Sequence, residues 1–160
     1  MTLAQEMVIC GKNDKPEYHT MLGDVLPTLH GYHIPLTWML TDLNCNSYPE
    51  ILQSDEPIVI TGQQLDALIE AEPRLQVIWG VLSGFRLPPE EVDRSIIPLS
   101  EHSNIWDSDY EIQHPQAECE LVGWDSSATF FRSKNQKAMR IFARKFPHAK
   151  SLDSFNETRS

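Results

Sequence analysis

The segment from Pro57 to Pro73 constrains the fold more than any other part of the chain. Ile58-Val59-Ile60 is a short apolar run, and Thr61-Gly62-Gln63-Gln64 follows it with the spacing of a capping box. In that motif the Thr61 side chain accepts from the N–H of Gln64, while the Gln64 side chain reaches back to the N–H of Thr61. Two of the donors that a helix leaves unpaired at its start are thereby satisfied. Leu65, Leu68 and Ile69 then share one helical face, and Pro73 ends the helix because it has no N–H to continue it. Asp66 and Glu70, four apart and of like sign, read as a solvated face. The run from Leu75 to Phe85 is rich in β-branched and aromatic residues and predicts a central strand. Gly80 and Gly84 mark bulges or close approaches within it.

Other elements follow from weaker signals. Glu6–Cys10 reads as a strand, and Pro16–Leu26 as a short helix with Tyr18, Met21, Leu22, Val25 and Leu26 on one face. Leu36–Thr41 reads as a strand, and Asp42–Pro49 as turn chemistry. Ala117–Trp124 and Thr129–Arg132, joined by Asp125-Ser126-Ser127-Ala128, predict a hairpin. Ser133 and Gln136 give a second capping box, opening a helix that runs through Phe146. At 100° per residue its apolar stripe is Ala138, Ile141, Phe142 and Phe146, with Lys134, Lys137, Arg140 and Arg144 grouped beside it. The expected fold is a single α+β domain over residues 1–160, mainly an antiparallel sheet with two or three packed helices. Residues 151–160 are expected to form a flexible tail. A length of 160 residues suffices for such a core without disulfides or metals.

Charge narrows the function classes. The formal net charge is −10, but residues 1–131 hold 5 basic and 21 acidic side chains, and residues 132–160 hold 8 basic and 2 acidic. An acidic body disfavours generic nucleic-acid binding, which depends on cations that neutralise phosphates. It equally disfavours an anionic membrane surface. The basic C-terminal part is expected to find complements within the molecule, whereas the acidic excess cannot pair with itself.

Chemical motifs are scarce. Cys10, Cys45 and Cys119 are odd in number and far apart, which indicates neither a disulfide framework nor a zinc site. Cys10 and Cys119 lie in apolar runs and read as buried. His30-Gly31-Tyr32-His33 spaces two histidines by three, but Gly31 and Pro35 make the segment a turn rather than a ligating helix face. Asp107-x-Asp109-x-Glu111 lacks the central glycine and final bidentate glutamate of a calcium loop. No phosphate-binding loop, dinucleotide fingerprint or nucleophile elbow occurs. No cofactor or metal is expected, and no catalytic residue is assigned. With no leader-like start and no long apolar run, the expected location is cytoplasmic.

The informative segment is residues 86–116, loop-rich and carrying Pro88, Pro89, Pro98 and Pro115. A long irregular excursion in a domain of this size is usually functional. Ser95-Ile96-Ile97 is a possible strand within it. The candidate partner-binding residues are Glu90, Glu91, Asp93, Glu101, Trp106, Asp107, Asp109, Tyr110 and Glu111. Rings within a charged rim supply affinity, and the charges supply on-rate and discrimination. Trp106 reads equally as a core residue beneath the loop, while Trp38, Trp79 and Trp124 lie in predicted strands and read as core. The alternative is a small hydrolase or transferase using His102 or His114 with a loop carboxylate.

The C-terminal third carries a family likeness. Glu118-Cys119-Glu120-Leu121-Val122-Gly123-Trp124, then Asp125-Ser126, a second aromatic strand, and Ser133-Lys134-Asn135 opening a helix resemble the layout of small bacterial α+β proteins, including immunity proteins that neutralise polymorphic or contact-delivered toxins. The resemblance implies a non-enzymatic inhibitor whose partner is a basic toxin or nuclease domain. It rests on pattern and transfers no individual residue role. An exposed edge strand would also let two copies pair as a homodimer.

Overall fold

The computed structural model describes residues 5–10, 20–102, 105, 111–146 and 149, with the backbone alone described for 5–10. In chain order the elements are β1 (Gln5–Cys10), α1 (Leu22–Val25), β2 (Thr37–Cys45), β3 (Ile58–Thr61), α2 (Gly62–Ala71), β4 (Val77–Phe85), β5 (Cys119–Trp124), β6 (Ala128–Ser133) and α3 (Gln136–Lys145). The strands form one sheet in the order β1-β6-β5-β4-β2-β3, and every neighbouring pair is antiparallel. This is the expected α+β architecture, with β4 in the interior of the sheet.

The capping box forms as its spacing requires. Thr61 Oγ1 accepts from Gln64 N at 3.1 Å, and Thr61 N donates to Gln64 Oε1 at 2.8 Å. Gly62 is glycine for a steric reason. Its N–H donates to Leu36 O at 2.7 Å, and a Cβ there would overlap the backbone carbonyls of His33 and Ile34. Backbone cannot swing aside as a side chain can. Gly62→Ala is therefore expected to cost about 2 kcal/mol, at least the usual cost of overpacking. A urea midpoint lowered at constant m-value is the readout; an unchanged midpoint would mean that the 33–36 segment yields freely.

Four sequence expectations are not met. The helix anticipated over 16–26 reaches only Leu22–Val25 in its described part and passes into a 3₁₀ turn at Leu26–Leu29. Thr20 has φ 58°, in the left-handed region, and its carbonyl accepts from Val77 N, so the chain is tied to β4 just before the helix. Residues 42–45 extend β2 through a register shift instead of turning. Ser95–Ile97 is not a strand. At α3 the cap also moves: Asn135 accepts from Ala138 N at 3.0 Å, while Ser133 Oγ accepts from Asn135 N.

Strand alternation gives the sheet two different faces. Trp38, Leu40, Ile58, Ile60, Leu82, Leu121 and Phe131 point to one, where α1, α2 and α3 pack through Leu22, Val25, Leu65, Ile69, Ala138, Met139 and Phe142. Gly84 admits the closest approach there, since a Cβ would lie 2.5 Å from Cys119 Sγ and 3.1 Å from the Trp38 ring. Met39, Val81, Phe85, Val122 and Phe130 point to the other face. Among the described residues no helix covers that side; those of the 86–116 segment do. Its Val92 and Ile105, and Ala117 just beyond it, are buried against the strands, with Leu87 and Ile112 packed beside them.

Candidate functional site

The 86–116 segment is fastened to the sheet by buried polar groups. Glu120 of β5 and Arg132 of β6 stand opposite each other in register, are almost fully buried, and approach to 3.6 Å. Arg132 Nη2 donates to Ile105 O at 3.0 Å, and Gln113 N donates to Glu120 Oε2 at 2.9 Å. The ion pair thus holds the segment at two points. Further along, Thr41 donates to Pro98 O at 2.7 Å, and Asp42 accepts from both the N–H and the hydroxyl of Ser100. Asp42 occupies the left-handed region at φ 54° to do so, a conformation that Asp tolerates better than most residues. Gln113 clamps Leu99 by donating to its carbonyl and accepting from its N–H, at 2.9 and 2.8 Å.

His114 belongs to this fastening. It is fully buried, its Nδ1 accepts from Gln116 N at 3.2 Å, and its Nε2 lies 2.8 Å from Asp93 O. An accepting Nδ1 means that Nε2 carries the proton and donates. Its ring also meets Phe85 edge-on at 4.8 Å. Both nitrogens of this histidine are thus taken by backbone, and His102 is half-buried.

The fastened segment displays acids and apolar groups together. Glu90, Glu91, Asp93, Glu101 and Glu111 are exposed, and none forms an ion pair with a described residue. The Ser95 hydroxyl and N–H hold the Asp93 carboxyl below the ordinary range. Between these acids Ile97 and Leu99 are 43% and 48% exposed, unusual for large aliphatic side chains. Trp106, Asp107, Asp109 and Tyr110, the anchors and acids expected next to them, lie outside the described residues. Ile97 and Leu99 were not expected as anchors. Their signal was present in Ile96-Ile97-Pro98-Leu99, an apolar run too proline-bound to be a strand.

Two other polar clusters lie on the helical side. Tyr32 donates to Glu118 Oε2 and lies 3.0 Å from Ser133 Oγ, while Arg86 Nε donates to Glu118 Oε1 at 2.5 Å. These residues tie the 3₁₀ turn, the end of β4 and the start of α3 into one corner. Burial raises the Tyr32 hydroxyl well above its ordinary pKa, and the Cys119 thiol beneath it is raised likewise. His33 Nε2 lies 2.9 Å from Asp66, so Asp66 is more than a solvated acid; His30 is exposed and points elsewhere. Trp38 is fully buried, whereas Trp79 and Trp124 are half-buried and meet edge-on at 5.3 Å.

Burial pushes the Cys45 thiol up to about 11. A raised pKa favours the neutral form in the fold, so this contribution is whole below the unfolded value near 9.0 and is lost as pH climbs through about 11. In a Cys10→Ser variant, neither Cys45 nor Cys119 is expected to react with a thiol reagent at pH 8 while folded, and both should react in denaturant. Rapid native labelling at either would contradict the burial.

Among the described residues no helix is long and apolar enough to cross a membrane, and no group of three or more His, Cys, Asp or Glu side chains is arranged to hold a metal. The chain matches no protein-family model, no curated protein and no solved structure.

Proposed function

We propose that the chain is a non-enzymatic protein-binding module, an acidic inhibitor of a basic toxin or nuclease domain, and that the 86–116 segment is its contact face. The observation that carries this reading is the exposure of Ile97 and Leu99 among carboxylates that form no ion pair with a described residue, on a segment pinned from below. Pinning matters because a preordered face loses little conformational freedom on binding. The aliphatic pair supplies desolvated contact, and Glu90, Glu91, Asp93, Glu101 and Glu111 supply attraction and steering. The likeness of the C-terminal third to immunity proteins points to the same class of partner.

The test uses the intact protein and a variant carrying Glu90→Lys, Glu91→Lys, Glu101→Lys and Glu111→Lys, each immobilised and presented with extract of the organism that encodes the chain. A basic protein retained by the first at low salt, released at high salt and ignored by the variant is the expected result. With that protein purified, the on-rate should fall roughly tenfold or more as salt rises, with a smaller change in dissociation. Leu99→Ser should act the other way, chiefly on dissociation. Equal retention by both proteins, or an on-rate indifferent to salt, would remove the basis of the proposal.

A further inference from the structure

The sheet face opposite the acidic segment carries a charge pattern that folding does not require. α3 buries Ala138, Met139, Phe142 and the adjoining Phe146. At 100° per residue, Lys137, Arg140 and Arg144 project from the side opposite that stripe, and all three are exposed. They therefore crest the helix, where the sequence suggested a flank. Lys134 and Lys145 are exposed at its two ends, and none of the five forms an ion pair with a described residue. The internal complement expected for these cations is not found among the described residues.

The pattern also works against the helix. Arg144 and Lys145 suit the negative C-terminal end of its dipole, but Lys134 and Lys137 stand at the positive end, where cations are disfavoured. Arg140 and Arg144 repel each other as an i,i+4 pair of like charge. A chain with 23 acidic and 13 basic side chains has carboxylates in plenty, yet α3 contains none. Solvation alone does not account for such a row.

We propose that α3 is a docking surface for the phosphate backbone of double-stranded nucleic acid, independent of the acidic face. Lys137 and Arg144 are seven residues apart, about 10 Å along the axis, long enough to span neighbouring phosphates on one strand of a duplex. Arginine forks match phosphate oxygens. The exposed residues of α3 are Gln136, Lys137, Arg140, Ala143, Arg144 and Lys145. They offer neither the apolar centre of a protein interface nor a ring on which bases stack, leaving sequence-independent backbone contact. A flat anionic membrane fits less well. α2 packs on the same sheet face and exposes Glu70, with Glu72 exposed at its C-cap, so that side as a whole presents anions beside the cations of α3. A single line of phosphates meets only the crest. The 86–116 segment packs on the opposite face of the sheet, and packed layers stand about 10 Å apart, beyond the screening length of about 8 Å at physiological ionic strength.

The two faces share no residue, so each is tested without disturbing the other. The probe is a short fluorescent duplex of mixed sequence, titrated with the full chain over a series of salt concentrations and followed by anisotropy. Binding is expected at low salt, and the logarithm of the association constant should fall against log salt with a slope between about −2.5 and −4.5, for three to five phosphates neutralised. A variant carrying Lys137→Glu, Arg140→Glu and Arg144→Glu should lose at least tenfold in affinity with an unchanged unfolding midpoint. The corresponding glutamine variant, which adds no repulsion, should lose most of the same affinity. Absence of binding at low salt, equal binding by the variants, a slope shallower than about −1, or preference for phosphatidylserine vesicles over the duplex would each overturn the proposal.

Discussion

Arg132→Leu is expected to lower folding stability by roughly 3–5 kcal/mol, the usual consequence of removing one partner from a buried ion pair. The size follows from what the substitution leaves behind. Glu120 is fully buried near the start of β5, and its carboxylate would lose the cation beside it while remaining out of water. The same change removes the donor to the Ile105 carbonyl, itself beneath the 86–116 segment. Loss of stability should therefore be accompanied by faster proteolysis within 86–116 under conditions where the sheet remains folded. Urea unfolding gives the first quantity and limited proteolysis the second. Replacing both residues, Glu120→Leu with Arg132→Leu, should recover much of the stability, because matched apolar groups often replace a buried pair without loss. Recovery of the segment's protection should be poorer, since Gln113 N also loses its acceptor. A single substitution costing less than about 1 kcal/mol would show that water reaches the pair.

Phe142→Ala should cost a comparable amount, about 3–5 kcal/mol. Phe142 is fully buried, stacks on Phe131 of β6 at 4.9 Å and meets Phe146 at the same distance. It is thus the residue that joins α3 to the sheet. A neighbour that fills the space would reduce the cost, but the nearest large groups are rings already held by one another. Far-ultraviolet circular dichroism should show partial loss of helix before global unfolding, because a short helix stays folded mainly through its packed face. If the helix signal and the global transition remained superimposed, α3 would be part of one indivisible unit.

Much of this was legible in the chain before any coordinates. The capping box at Thr61 and Gln64, the interior strand through Gly84 and the hairpin around Asp125 and Ser126 follow from local chemistry and appear as expected. Asp125 and Ser126 both lie in the left-handed region, which the turn needs and which Asp accepts more readily than most residues. What escaped was set by distant contacts. Thr20 abandons a helical pattern because β4 and Thr129 claim it. Asp42 reads as turn chemistry, yet Ser100, far away in sequence, holds it in a strand. The candidate site was only half visible. Its carboxylates could be counted, but their display on a covered sheet face depends on Glu120 and Arg132. A clue existed in their parity: Glu120 alternates with Val122, and Arg132 with Phe130, so two opposite charges share the apolar side of adjacent strands.

The pairing of β1 with β6 has a consequence for the order in which the molecule is made. Gln5 through Cys10 find their partners between Ser133 and Ala128, so the earliest strand adds to the sheet only after nearly the whole domain has emerged from the ribosome. At ordinary elongation speeds that wait is on the order of ten seconds, far longer than hairpins need to form. During it β1 has no partner, and the edge of β4 stays open until β5 is made. A nascent chain of this topology therefore has a window in which an unpaired strand and an open sheet edge are exposed to neighbouring chains, and crowded synthesis is where misassembly should first be seen.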